Sequence, residues 1–338
     1  MSNKKTRYFV AVASAILAIG LGTGLVASYM GLPVSVFSSA AGPDELQYVP
    51  ADAAVVAYAN VRDVMNSQFR QRFKDIEPSQ NDKNQFEEKT GLNLEQDVDS
   101  VIAAVMPKDN LANNPAGAFL ILAKARYQPA RLEALAIEHG ADVSEYQGKR
   151  LITHHEKNAN GDASHEDMAF GFVEADLVAF GSLATVKASI DAHASNRNIV
   201  SNNDMMKLVN EIDNANAWAV GRFDAIASKA GIPTEIASAM PQISWFSAAG
   251  HINGGVSGTF KAETKDEATA QNLRDVMRGF LAMAKMQAGT KPGMQQLADS
   301  LVLSGDGKNV ALSFAIPTEV LDVLEGMAKG RHPGQIQQ

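Results

Sequence analysis

The residue types that do chemistry are concentrated in one stretch, RLITHHEKNANGDASHED, from Arg150 to Asp167. It holds three of the chain's seven histidines and four carboxylates. A zinc or similar site needs three or four such ligands converging at about 2 Å. His154, Glu156, His165 and Asp167 are the candidate ligands here, and with them the chain would be a metal-dependent hydrolase. Against this, His154 and His155 are adjacent on an expected strand, so they point to opposite faces and do not both serve one ion. His165, Glu166 and Asp167 lie across the hairpin, where His154 or Glu156 faces His165. The intervening KNANGDAS has the composition of a solvated loop, whereas a catalytic constellation needs rigid support. The stretch therefore reads first as the wet tip of a hairpin. No catalytic residue and no cofactor is assigned.

Other motifs give less. GGVSG at Gly254–Gly258 lacks the serine position of a nucleophile elbow. SGDGKN at Ser304–Asn309 lacks the spacing and the hydroxyl residue of a phosphate-binding loop. The chain contains no H-E-x-x-H. His139 and His251 stand singly, and Trp218 and Trp245 fall in apolar strands. Arg62, Arg70, Arg72 and Lys74 share a helical pattern with Asp63 and Asp75, which reads as an ordinary solvated face. The methionine-rich run Met277–Met286 suits either a core filler or an adaptable surface for an apolar ligand.

The elements that would position these residues are strands and amphipathic helices. Val55–Val61, Val101–Met106 and the apolar run GAFLILAKARY read as buried strands. Pro129 opens a helix that Gly140 closes. Hairpins are expected with turns at Gln147-Gly148, Glu174-Ala175, Asn253-Gly254-Gly255 and Asp306-Gly307. A helix runs from Leu183 to Ala194, and Asp224 starts another. Thr264 and Glu267 have the spacing of a capping box before a helix carrying Leu273, Met277, Phe280, Leu281 and Ala284. Thr318 starts a terminal helix. The order recurs: AAVVAYANVRDVM matches NAWAVGRFDAIAS, and EYQGKRLITHH matches SGDGKNVALSF. The expected fold is α+β, an internally duplicated unit of antiparallel sheet with helices on one face. The units are 44–213 and 214–330, with a tail at 331–338.

A single N-terminal transmembrane helix precedes them within residues 1–43. No charge occurs between Arg7 and Asp44. Tyr8–Met30 would extend roughly 34 Å as a helix, enough to cross a bilayer core. Lys4, Lys5 and Arg7 in front of it set the N-terminus in the cytoplasm and the main body outside it. The alternative is a cleaved signal, with Ser38 and Ala40 before the cut. Gly20, Gly24 and Ser28 form a small-residue ladder that would let two such helices pack as a homodimer, although small residues are common throughout the segment.

The net charge is −8, so the chain without its three N-terminal cations carries −11. Such a body repels phosphate backbones and disfavours nucleic acid. The chain has no cysteine, which excludes disulfides, thiolate metal sites and cysteine nucleophiles.

YVPADAAVVAYANVRD, TGLNLEQDVDSV and SGDGKNVALSFAIPTEVLDVL resemble segments of bacterial exported proteins of the DUF3352-like kind. The resemblance implies a signal or anchor before an extracytoplasmic body, and no residue inherits a role from it. The expected protein is thus a single-pass protein of the cytoplasmic membrane whose periplasmic-side body binds or organises an envelope protein without catalysis. The alternatives are the metal-dependent hydrolase and a carrier or chaperone for an apolar ligand.

Overall fold

The computed structural model describes residues 43–67, 86–107, 119–155, 167–213, 215–227, 241–252, 255–288 and 294–316. The expected transmembrane helix, with Gly20, Gly24 and Ser28, lies outside them, as do Glu156, His165, the Asn253-Gly254 turn residues, the helix expected from Thr318 and the tail. Among the described residues no helix is long and apolar enough to cross a membrane.

Strand formation follows from apolar, β-branched runs. In the first half these are β1 (Val55–Asn60), β2 (Val98–Val105), β3 (Phe119–Ala125), β4 (Asp142–Tyr146), β5 (Lys149–His154), β6 (Met168–Phe172) and β7 (Leu177–Ser182). In the second they are β8 (Ala217–Arg222), β9 (Ile243–Ile252), β10 (Val256–Thr264), β11 (Val302–Ser304) and β12 (Asn309–Ile316). All join one twelve-stranded antiparallel sheet in the order β11-β12-β10-β9-β8-β1-β2-β3-β7-β6-β5-β4. The halves meet edge to edge where β1 pairs with β8, Val55 opposite Gly221 and Ala59 opposite Ala217.

Outward from this seam the halves repeat a plan. In each, the first three strands are neighbours, and the last strand of a later hairpin returns to the third: β7 to β3, β12 to β10. By position, β11–β12 therefore matches β6–β7, not the β4–β5 hairpin that its sequence suggested. Gln147-Gly148 and Asp306-Gly307 are both compositions that favour tight hairpins, so their likeness reports the turn rather than the place in the sheet.

The expected helices on one face are overturned in the first half, where both faces are covered. On one face Val56, Ile102, Leu120, Leu122, Leu151, Ala179 and Trp218 pack under the 3-10 helix Asp44–Tyr48 and helices α4 (Leu183–Ser195) and α5 (Asn203–Asn210). On the other Val101, Ile121, Ala123, Ile152, Phe170 and Phe180 pack under α1 (Val61–Asn66), the short α2 (Leu94–Asp97) and α3 (Pro129–Glu138). Leu151 and Ile152 are neighbours on opposite faces, and each is 0% exposed. A sheet covered twice needs strands that are apolar on both sides, which is why FLILAKA and LVAFGS do not alternate. Each fully buried leucine there stabilises by roughly 1.5–3 kcal/mol.

Local signals end the helices where expected. Asn60 accepts from the Asp63 amide and caps α1. Pro129 occupies the first turn of α3, and Gly140, at φ +84°, takes the left-handed position after it. Ser182 caps α4 by accepting from the Thr185 amide. The short helix α6 (Asp224–Ala227) follows β8. Next comes α7 (Glu267–Ala288), with Ala270, Leu273 and Met277 packed near Ile243, Phe260, Ala262 and Val310. Its cap is Asp266, which accepts from the Thr269 amide at 2.8 Å, not Thr264. The Thr264 hydroxyl instead donates to the Asp266 and Lys308 carbonyls and ties the strand end to the β11–β12 turn. Helix α8 (Met294–Ser300) returns beside α7, where Lys285 pairs with Asp299 at 3.4 Å.

Candidate functional site

The β4–β5 hairpin turns through Gln147 (φ +49°) and Gly148 (φ +75°), the two positive angles of a type I′ turn. That turn fixes the register Tyr146 opposite Lys149 and Asp142 opposite Thr153. Two residues past Thr153 the chain reaches His155 on the same face. There Nδ1 lies 2.8 Å from Asp167 and Nε2 lies 3.2 Å from Asp142. Alternation sets His154 on the other face, opposite Met168.

Of the four expected ligands, Asp167 thus meets His155, a residue not among the four, together with Asp142 of the edge strand. The imidazole lies between the two carboxylates, so the arrangement ties β4 to the start of β6. Both ring nitrogens face carboxylates and neither faces an open coordination position. Among the described residues no group of three or more His, Cys, Asp and Glu is placed to hold a metal ion.

A second polar set lies at the end of the sheet where β3 leaves and β6 turns into β7. Arg126 donates to Asp99 at 3.1 Å and to the Gln96 carbonyl, and Arg62 pairs with the same Asp99. Tyr127 stacks on Phe172 and donates to the Glu174 carbonyl at 2.9 Å. Gly91, Asp97, Ala125, Arg126, Tyr127, Gln128, Ala175 and Asp176 line an open groove of about 440 Å³. Under the adjoining face Tyr48, stacked on His193, donates to the Glu174 carboxylate at 2.9 Å. Lys124 pairs with the buried Glu45 at 2.8 Å.

These phenols are held neutral. Burial first, then the Glu174 hydrogen bond, raises the Tyr48 pKa well above the ordinary tyrosine range. Burial raises that of Tyr127 likewise, with Asp176 and Glu174 adding to it. Burial, with Glu45 and Asp63 nearby, pushes Tyr58 up to about 12. A catalytic phenolate requires the opposite shift. The Lys124 ammonium is held charged, its pKa raised chiefly by the Glu45 hydrogen bond. What the groove offers is therefore fixed charges and donors, with no activated nucleophile among them.

The remaining candidates disperse. Met277 is part of the core beside Leu273, whereas Met283 and Met286 near the end of α7 are 53% and 80% exposed. Gly258 sits in β10 against Phe314, as a strand residue rather than a serine elbow. Sequence reasoning missed Asp142, His155 and the rim around Arg126 and Tyr48. His155 and Asp142 had a signal: once the two-residue turn is accepted, counting back along both strands brings them to one face.

No family model and no curated protein matches the chain. Among solved structures it is similar to crystal form I of TP0453, with a TM-score of 0.42 and 11% identity over 85% of this chain and 99% of that one.

Proposed function

We propose that the protein is a membrane-anchored, extracytoplasmic binding or scaffold protein of the cell envelope that works without catalysis. The observation that carries this reading is the use of its polar side chains. Arg126, Lys124, Tyr48, Tyr146 and His155 each engage a group on a neighbouring element, so the conspicuous charges and phenols hold the sheet and helices together. The uncharged segment Tyr8–Met30 behind Lys4, Lys5 and Arg7 supplies the anchor. The body, as repeats 44–213 and 214–330, stands on the far side of the cytoplasmic membrane. Gly20, Gly24 and Ser28 give the anchor a helix-pairing surface.

The test is in-cell crosslinking of the full-length protein, with captured partners identified by mass spectrometry. One dominant envelope protein, lost when residues 1–43 are replaced by a cleavable signal, supports the reading. Its absence in both forms refutes it.

A further inference from the structure

The sheet ends unequally. β11 is a three-residue edge, too short to template another strand. β4 is five residues long and pairs among the described residues with β5 alone. Asp142, Val143, Ser144 and Glu145 are all exposed. The strand carries no proline, lysine or bulge, and its only blunting charges are Asp142 and Glu145.

It is also held rigid at both ends. Asp142 is clamped by His155. Tyr146 donates to both Asp191 oxygens at 3.0 Å, Gln147 donates to the same carboxylate, and Lys187 lies 5.2 Å from the Tyr146 ring. An edge fixed in this way loses little entropy when another chain pairs with it.

The turn dictates which groups are free. A two-residue hairpin makes its flanking residues, Tyr146 and Lys149, a hydrogen-bonded pair. Alternation then turns the backbone groups of Tyr146, Ser144 and Asp142 toward β5. The N–H and C=O of Val143 and Glu145 point away from the sheet.

From this geometry we infer that the open edge of β4 is a docking site for an extended, basic segment of another polypeptide, which adds to the sheet as a thirteenth strand. The charge decides the occupant. The charged side chains of β4 are Asp142 and Glu145, both acidic and on opposite faces; Asp142 shares His155 with Asp167, and Glu145 stands opposite Arg150, whose guanidinium is bonded to Glu133. A second copy of this chain brings the same charges on a body of net −11, whereas an incoming strand with a lysine or arginine on each face meets both. The proposal rests on the binding reading above for its class of function and adds the surface and the chemistry of the partner.

The probe is a fluorescently labelled, end-capped valine-rich peptide with lysines three residues apart, so that one lies on each face of the strand, titrated into the full-length protein in detergent micelles. Saturable binding is expected, with new amide protection confined to β4 and no binding of the glutamate–valine counterpart. Val143→Pro removes an outward N–H and leaves the β4–β5 bonds in place, and it should weaken binding roughly tenfold. The double substitution Asp142→Asn with Glu145→Gln keeps every backbone group and should weaken binding comparably, with a shallower salt dependence. It carries the test if the proline variant fails to fold. Absence of binding, or binding indifferent to both variants, overturns the proposal. So does self-association abolished by Val143→Pro, which would make a second copy the occupant. If the peptide fails while in-cell crosslinking still captures an envelope partner, this surface is wrong and the binding function stands.

Discussion

Gly221 sits in β8 opposite Val55, at the seam where the two halves of the sheet join. A Cβ built on it would lie 2.4 Å from the Ala54 carbonyl oxygen and 2.7 Å from the Val55 Cα. Both are backbone atoms, so Gly221→Ala is relieved only by moving β1 away from β8. Overpacking costs about 1–3 kcal/mol, and a backbone clash belongs at the upper end, about 2–3 kcal/mol. In a chain of this size each kcal/mol moves Tm by roughly 2–4 °C, so a fall of roughly 4–12 °C is expected. Gly140→Ala is the contrast: nothing lies within 4 Å of its Cβ, but φ is +84°, so it should cost only the ~1 kcal/mol of a left-handed residue. Thermal melting of full-length protein in detergent reads both, and amide exchange locates the loosening. For Gly221→Ala, β1 and β8 should lose protection together. A wild-type Tm, or loosening confined to one half, would refute the continuous sheet as a cooperative unit.

Leu151→Ala empties a fully buried position beneath Val186 of α4 and should cost about 3–4 kcal/mol in denaturant titration. Lys124→Met strands the Glu45 carboxylate, which is only 8% exposed, and should cost ~2 kcal/mol, most of it recovered by adding Glu45→Gln. A double-mutant cycle without coupling would contradict that pairing. Burial, opposed by Asp213, holds the His251 imidazole below its usual pKa of 6.5. Stability is then full above that value and falls as pH drops toward the folded one, because the unfolded chain binds the extra proton. Comparing melts at pH 7.5 and 5.5, His251→Gln should flatten this slope, and an unchanged slope would remove His251 as its source. Purified without a histidine tag, the protein should carry no stoichiometric metal. Metal lost on His155→Ala would instead favour the hydrolase.

Much of the fold is legible because local rules and tertiary structure agree. Pro129 and Gly140 bracket α3, the Gln147-Gly148 turn sets a register, and the unbroken apolar run of β3 reports burial on both sides. That same run contradicted a sheet covered on one face, since a half-exposed strand alternates. The helix α5 escaped because it is only eight residues, although Asn202 caps it and Met205, Leu208 and Val209 are buried. The 3-10 segment Asp44–Tyr48 escaped for a different reason. Its lashings are the Ser189 hydroxyl donating to the Tyr48 carbonyl and the Ile199 amide donating to Val49, contacts across more than a hundred residues that no local pattern announces.

Alternation gave the rule that His154 and His155 face apart. The candidate ligands included His154, whereas the structure places Asp142 and Asp167 at His155; Glu156 and His165 lie outside the described residues. Counting from the turn selects the other histidine: Tyr146 with Lys149 leads to Asp142 with Thr153, and His155 follows two residues later on that face. The same count assigns the outward amides to Val143 and Glu145. One tight turn therefore determines both which carboxylates the imidazole clamps and which backbone groups the edge presents. Lengthening the turn by one residue would shift β4 against β5, because β5 is held by β6 and by the burial of Leu151 and Ile152, and would turn Asp142 away from His155. The His155 clamp and the outward position of the Val143 and Glu145 amides should accordingly be lost together. An insertion after Gly148 that broke only one of them would show that the two are not set by a common register.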